Sequence, residues 1–183
     1  MTGKHTQTFR QKSRRAASII YDWVGGIVMA LLVIALLLTY VFRIVAVDGD
    51  SMLPTLEDGD RLLLTYSYSE FEPGDVVVVD RYAEDPLIKR VIAVGGDTVE
   101  IVDTHVYVNN VMLQEPYIQG TTLPRDITGK VRVPDGYVFL MGDNRSVSKD
   151  SRMDEIGLIS VKDIVGKVEF CVWPPTSIGK IDS

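Results

Sequence analysis

Residues Val24–Phe42 read VGGIVMALLVIALLLTYVF, nineteen positions without a charge. As a helix rising ~1.5 Å per residue this run would be about 28 Å long, close to the ~30 Å hydrocarbon core of a bilayer. A cleavable leader would have a shorter apolar core, about 7 to 15 residues, followed by a small-x-small site. Here the run ends Tyr40-Val41-Phe42-Arg43 instead, so a retained anchor over residues 23–43 is expected. Trp23 and Tyr40 stand near its two ends, as interfacial aromatics do.

The charges on either side of this run differ in sign. Residues 1–43 hold six Lys and Arg against the single acid Asp22, a net +5, and five of those cations lie in the first fifteen residues. The remaining 140 residues hold 13 basic and 24 acidic groups, a net −11, and begin with Asp48-Gly49-Asp50. The positive-inside rule then predicts a cytoplasmic tail over residues 1–22 and an extracytoplasmic domain over 44–183. An acidic domain without a Lys/Arg cluster makes nucleic acid an unsuitable partner. The lone Cys171 excludes an internal disulfide, and with only His5 and His105 a zinc cluster or a histidine triad has too little material.

Beyond the apolar run, segments rich in Val, Ile, Leu and Tyr alternate with turn signals. Strands are predicted at Leu62–Tyr66, Val76–Val79, Ile88–Val94, Val99–Val108, Tyr137–Met141 and Ile164–Trp173. Asp58-Gly59-Asp60, Pro73-Gly74-Asp75, Gly95-Gly96-Asp97, Asn109-Asn110, Pro134-Asp135-Gly136 and Gly142-Asp143-Asn144 punctuate them. No long amphipathic helix competes, so the fold class is mostly β, an antiparallel sheet domain behind one N-terminal transmembrane helix. An irregular excursion is expected over about residues 109–132, least regular from Leu113 to Lys130, on the domain surface.

Three clusters carry reactive side chains. The first is Asp48-Gly49-Asp50-Ser51-Met52-Leu53-Pro54-Thr55-Leu56, which taken alone is an ordinary turn. Ser51 lies eight residues past Arg43, within about 26 Å of the membrane face even at ~3.3 Å per residue. The second is Leu87-Ile88-Lys89-Arg90-Val91-Ile92-Ala93-Val94. Adjacent strand residues face opposite ways, and both faces here are otherwise apolar, so periodicity does not choose which cation is buried. One reading is an edge strand that lets both cations reach water. The other is a lysine desolvated among Leu87, Val91 and Ala93, whose lowered pKa would make it a usable general base. Arg90 stays protonated and would need a carboxylate partner.

The third cluster is Gly142-Asp143-Asn144-Arg145-Ser146-Val147-Ser148-Lys149-Asp150-Ser151-Arg152, by composition a solvated loop. Its Ser146-x-x-Lys149 lacks the companion motifs of penicillin-binding enzymes, and Arg145 stands where a Ca²⁺ loop wants an acid or amide.

Together, and in this order, the clusters resemble the bacterial type I signal peptidases, membrane-bound Ser/Lys leader peptidases of peptidase family S26. Ser51-Met52-x-Pro54-Thr55-Leu56 is similar to their nucleophile box, Gly74 to Val78 to the strand box that follows, Ile88 to Ile92 with Gly96-Asp97 to the lysine box, and Gly142 to Arg152 to the last box. The resemblance spans Val47 to about Pro174 together with the anchor. It implies Ser51 as nucleophile, Lys89 as general base and the Ser51 N–H as an oxyanion donor. It also implies Ser148 as the hydroxyl that orients the lysine, and Asp143, Asp150, Arg152 and Arg90 as a supporting ion-pair framework. Gly49 stands where some members place a serine as second oxyanion donor, and Leu87 where many place an aromatic; both departures look Gram-positive-like.

The implied substrate is a preprotein with small residues first and third before the cut. It would add as a strand to a sheet edge, beside pockets walled by Val47, Met52, Leu56 and Ile88. The implied enzyme is a monomer in the cell membrane, single-pass, in contact with preprotein signal peptides and the lipid bilayer; no metal or cofactor is expected. The alternatives are a self-cleaving Ser/Lys protein of the SOS-repressor kind, which would be cytoplasmic, and a non-enzymatic membrane-tethered β binding module.

Overall fold

The computed structural model describes residues 21–36, 42–65, 71–80 and 86–181. The chain divides into two units, Met1–Val41 and Phe42–Ser183. In the first, residues 21–36 are helical with every side chain exposed, including Trp23, Ile27, Leu31 and Ile34. Among the described residues no helix is long and apolar enough to cross a membrane. The rest of the expected span, 37–41, and nearly all of the basic tail, 1–20, lie outside the described residues.

The second unit is built from strands β1 (Phe42–Ala46), β2 (Arg61–Thr65), β3 (Val76–Val79), β4 (Leu87–Val94), β5 (Thr98–Val102), β6 (His105–Val108), β7 (Val111–Met112), β8 (Val131–Arg132), β9 (Tyr137–Met141), β10 (Ile159–Ser160), β11 (Ile164–Trp173) and β12 (Gly179–Lys180). The larger sheet has the order β1-β2-β11-β3-β4-β9-β10 with β12 on β11, and the smaller one β7-β6-β5-β8. Every paired strand is antiparallel, as the alternation of apolar runs and turn residues predicts.

Two expected boundaries move. The anchor was expected to run to Arg43, but Phe42 and Arg43 already pair with Thr65 and Leu64 as the start of β1. Hydropathy does not separate a membrane helix from the β-branched and aromatic residues that open a strand, whereas the ladder with β2 does. The run expected as one strand, Val99–Val108, is a hairpin. Asp103 and Thr104 turn it with φ of 46° and 70°, closing on the Val102–His105 pair. Two consecutive positive φ values are the mark of a tight hairpin turn, and Asp-Thr lacks the glycine that usually announces one.

Strand β4 positions the site. It pairs with β3 from Leu87 to Arg90 and with β9 from Arg90 to Val94, so it lies inside the sheet. That removes the edge-strand reading: Lys89 and Arg90 are 3% and 1% exposed. Val47, Met52, Leu56, Leu62, Leu64, Val76, Val78, Ile88 and Val168 pack as one apolar cluster, and Val77, Val79, Val91, Val138 and Leu140 belong to a second. Adjacent residues of β3 and β4 thus feed cores on opposite faces, as a two-residue period requires.

Candidate active site

Alternation along β4 sends Lys89 and Arg90 to opposite faces, and each meets a different part of the chain. Lys89 Nζ donates to Ser51 Oγ at 2.7 Å and to the Ile88 carbonyl at 2.9 Å. Burial penalises its ammonium form, while the charges of Asp150 and Asp143 favour it; burial wins, and the pKa falls from 10.5 to about 8. About a tenth of the amine is therefore neutral at pH 7, within reach of a half-buried hydroxyl. An uncharged amine so placed can accept the proton of that hydroxyl as it attacks a carbonyl carbon.

Arg90, on the other face, has the carboxylate partner it requires. Its Nε and Nη2 donate to the two oxygens of Asp143 at 3.0 and 2.8 Å, and its Nη1 to the Gly74 carbonyl at 2.8 Å. The Tyr117 ring lies 4.1 Å from its guanidinium carbon, a cation–π contact. Thr55 Oγ1 also donates to Asp143, joining the turn that carries Ser51 to this pair.

The loop after β9 folds back over the site on two more buried pairs. Arg152 Nε and Nη2 each reach Asp150 at 2.8 Å, and the Gly142 N–H donates to the same carboxylate at 3.1 Å. Burial pushes Asp150 up, but the bonds and charge of Arg152, with Ser148 and the Gly142 amide, more than offset it and hold the carboxyl below its ordinary value. Arg145, 1% exposed, spans Glu115 Oε1 and Oε2 and also donates to Thr122 Oγ1. Buried pairs of this kind fix geometry more than they add stability, because desolvation consumes much of the Coulomb gain.

Gly142 stands where nothing larger fits. A Cβ there would run into the Ser51 carbonyl and Ser148 Oγ. Ser148 is fully buried, and its Oγ closes no bond of normal geometry, although it lies near enough to Asp150 to help hold that carboxylate ionised. No bond joins it to Lys89, whose amine donates to Ser51 and Ile88 instead. Gly49, at φ 82°, gives its N–H to Asp58 Oδ1 at 2.9 Å, so the backbone amide at that position is already engaged.

A groove of about 520 Å³ opens on Ser51 and Lys89. One wall is Ala46 to Met52, another Pro86 to Lys89, and Val147 and Lys149 border it. Of the four expected pocket residues, Val47, Met52 and Ile88 line the groove; Leu56 does not, being packed in the core beneath. Among the described residues, Leu87 to Lys89 have a ladder partner on the β3 side only, since β9 joins β4 from Arg90 onward. That free edge borders the groove.

Ser51, Lys89, Asp143, Arg90, Asp150, Arg152 and Ser148 thus meet in one place, although they come from three separated stretches. Sequence reasoning missed what the excursion does. Glu115, Tyr117, Gln119 and Thr122 all touch site residues, with Gln119 paired to Asn144 in a parallel bridge. No spacing in that segment announces these contacts. Val147 and Lys149 were likewise unassigned, though they sit in a stretch already singled out.

Residues 20–173 match the family model described as signal peptidase, peptidase S26. Signal peptidase I of Bacillus licheniformis is 37% identical over 185 residues, covering 94% of this chain and 98% of its own. Signal peptidase I S of Bacillus subtilis is 38% identical over 168 residues, covering 85% and 90%. A crystal structure of a signal peptidase I from Enterococcus faecalis aligns with a TM-score of 0.45 at 26% identity, over 55% of this chain and 98% of its own.

Proposed function

The chain belongs to the signal peptidase family, peptidase S26, and from that premise we propose that it is a membrane-bound serine endopeptidase that removes N-terminal signal peptides, with Ser51 as nucleophile and Lys89 as general base. The observation that carries the assignment is the 2.7 Å contact between Lys89 Nζ and Ser51 Oγ, with the amine buried enough to lie near pKa 8. Lys89 takes the hydroxyl proton as Ser51 Oγ bonds to the scissile carbonyl carbon, and returns it to the leaving amine. The Ser51 N–H stabilises the oxyanion. Water then attacks the acyl-enzyme by the same proton transfers in reverse order.

The substrate enters as an extended strand along the free edge of Leu87–Lys89. The groove walls at Val47, Met52 and Ile88 favour small side chains at the first and third positions before the cut. Arg90, Asp143, Asp150 and Arg152 hold the strands and loop around the pair, with Ser148 buried against Gly142.

Residues from Trp23 to Val41 anchor the enzyme in the bilayer as a single-pass monomer, with the basic tail cytoplasmic and the acidic domain outside; the charge split and the uncharged run support this. Preprotein cleavage in proteoliposomes tests the dyad. Ser51→Ala and Lys89→Ala are each expected to lose processing while remaining folded by circular dichroism, and normal cleavage by either variant would sink the assignment.

A further inference from the structure

The oxyanion donor of this site needs an orienting partner, because a single backbone N–H is effective only when aimed before the reaction begins. Ser51 N–H belongs to the Asp50–Ser51 peptide, which is trans. In a trans unit the C=O and N–H point in opposite directions, so whatever holds the Asp50 oxygen also aims the Ser51 hydrogen. Two groups hold that oxygen. Leu53 N–H reaches it across the turn at 3.3 Å, and Asn144 Nδ2 donates to it at 3.1 Å from the loop after β9. Asn144 also gives its backbone N–H to the Ser51 carbonyl at 3.0 Å, so one residue grips the peptide oxygens on both sides of the Ser51 Cα. Asn144 is itself fixed: it is 7% exposed, paired with Gln119, and flanked by Asp143 on Arg90 and Arg145 on Glu115.

We propose that Asn144 is a positioning residue for the oxyanion hole, its carboxamide holding the Asp50 carbonyl so that the Ser51 N–H is aimed at the developing oxyanion. The inference rests on the assignment of Ser51 as nucleophile. With Gly49 N–H committed to Asp58, the Ser51 amide bears more of the load here than where a second donor is present. Asn144 touches neither substrate nor the reacting hydroxyl, and its effect passes through one peptide plane. Since the Leu53 bond remains when the carboxamide is removed, the loss should be smaller than the ~10²- to 10³-fold seen on deleting an oxyanion donor outright.

The test uses the full chain in detergent with a peptide bearing a small-x-small cleavage site, comparing wild type, Asn144→Ala, Asn144→Leu and Ser51→Ala. Both Asn144 variants keep the backbone bond to Ser51, and the leucine keeps the volume. The expected result is a kcat reduced about 10- to 50-fold in each, KM within about twofold, and an unchanged midpoint of the pH profile. Affinity for a peptide aldehyde, whose adduct with Ser51 carries the tetrahedral oxygen, should fall by the same factor as kcat. Peptide binding measured in the Ser51→Ala background should not change when Asn144→Ala is added. A kcat within twofold of wild type in both variants would overturn the proposal, as would a loss confined to KM or a shifted pH midpoint, which would point to the substrate groove or to Lys89. Cleavage by Ser51→Ala is a different failure: it would remove the nucleophile assignment, and the inference with it.

Discussion

Lys89, the proposed general base, occupies a strand position where its charge costs stability. Its folded pKa, about 8, lies below the unfolded 10.5, so between those values the unfolded chain binds the extra proton. Stability therefore rises with pH across that window, and below pH 8 the full penalty for burying the ammonium is present. The drop from 10.5 to about 8 corresponds to roughly 3 kcal/mol. Lys89→Met should abolish cleavage yet be more stable at pH 7 by up to about 3 kcal/mol, an advantage that shrinks as pH rises from about 8 to 10.5; urea unfolding at several pH values checks this. Gly142 gives the opposite case. Gly142→Ala would force its Cβ against the Ser51 carbonyl and Ser148 Oγ, and a loss of at least about tenfold in kcat/KM is expected from displacing the Ser51 turn. A Gly142→Ala enzyme of full activity would mean the loop yields without moving Ser51. Sequence alone placed Lys89 and Arg90 on opposite faces, because alternation is a local property. It did not say that both are buried, since burial depends on β3 and β9 closing over the strand from either side.

At the level of elements, the excursion over about residues 109–132 departs most from its sequence reading. It lacks regular strands between β7 and β8, yet Glu115 is sealed against Arg145 and Tyr117 covers Arg90. The segment acts as a brace on the loop after β9, which in turn grips the Ser51 turn through Asn144. Glu115→Ala would leave a buried guanidinium without its carboxylate, at a cost of about 3 to 5 kcal/mol, and should lower the urea midpoint accordingly. A change below 1 kcal/mol would mean that Arg145 finds water or another acceptor, and the brace would lose its main fastening. The strands themselves were readable because β-branched runs and Gly, Pro or Asn turns are encoded within a few residues. The Asp103-Thr104 turn escaped notice because it uses left-handed backbone without glycine, and the brace escaped because its partners are about 30 residues away in sequence.

On the scale of the whole molecule, the net charge of −6 resolves into +5 over residues 1–43, which contain the uncharged run, and −11 over residues 44–183. That division supports the proposed topology, and it has a direct consequence. Protease added outside right-side-out vesicles should digest the domain after Phe42 and leave a tagged N-terminus protected; a protected domain would reverse the orientation. Ser51 lies five residues beyond the end of β1 in sequence. The most direct test of the account is the pH dependence of kcat/KM for preprotein cleavage by the full chain in proteoliposomes. A buried lysine acting as base predicts a single rise with unit slope to a plateau above about pH 8. A profile flat from pH 6 to 10, or one falling above pH 7, would contradict it.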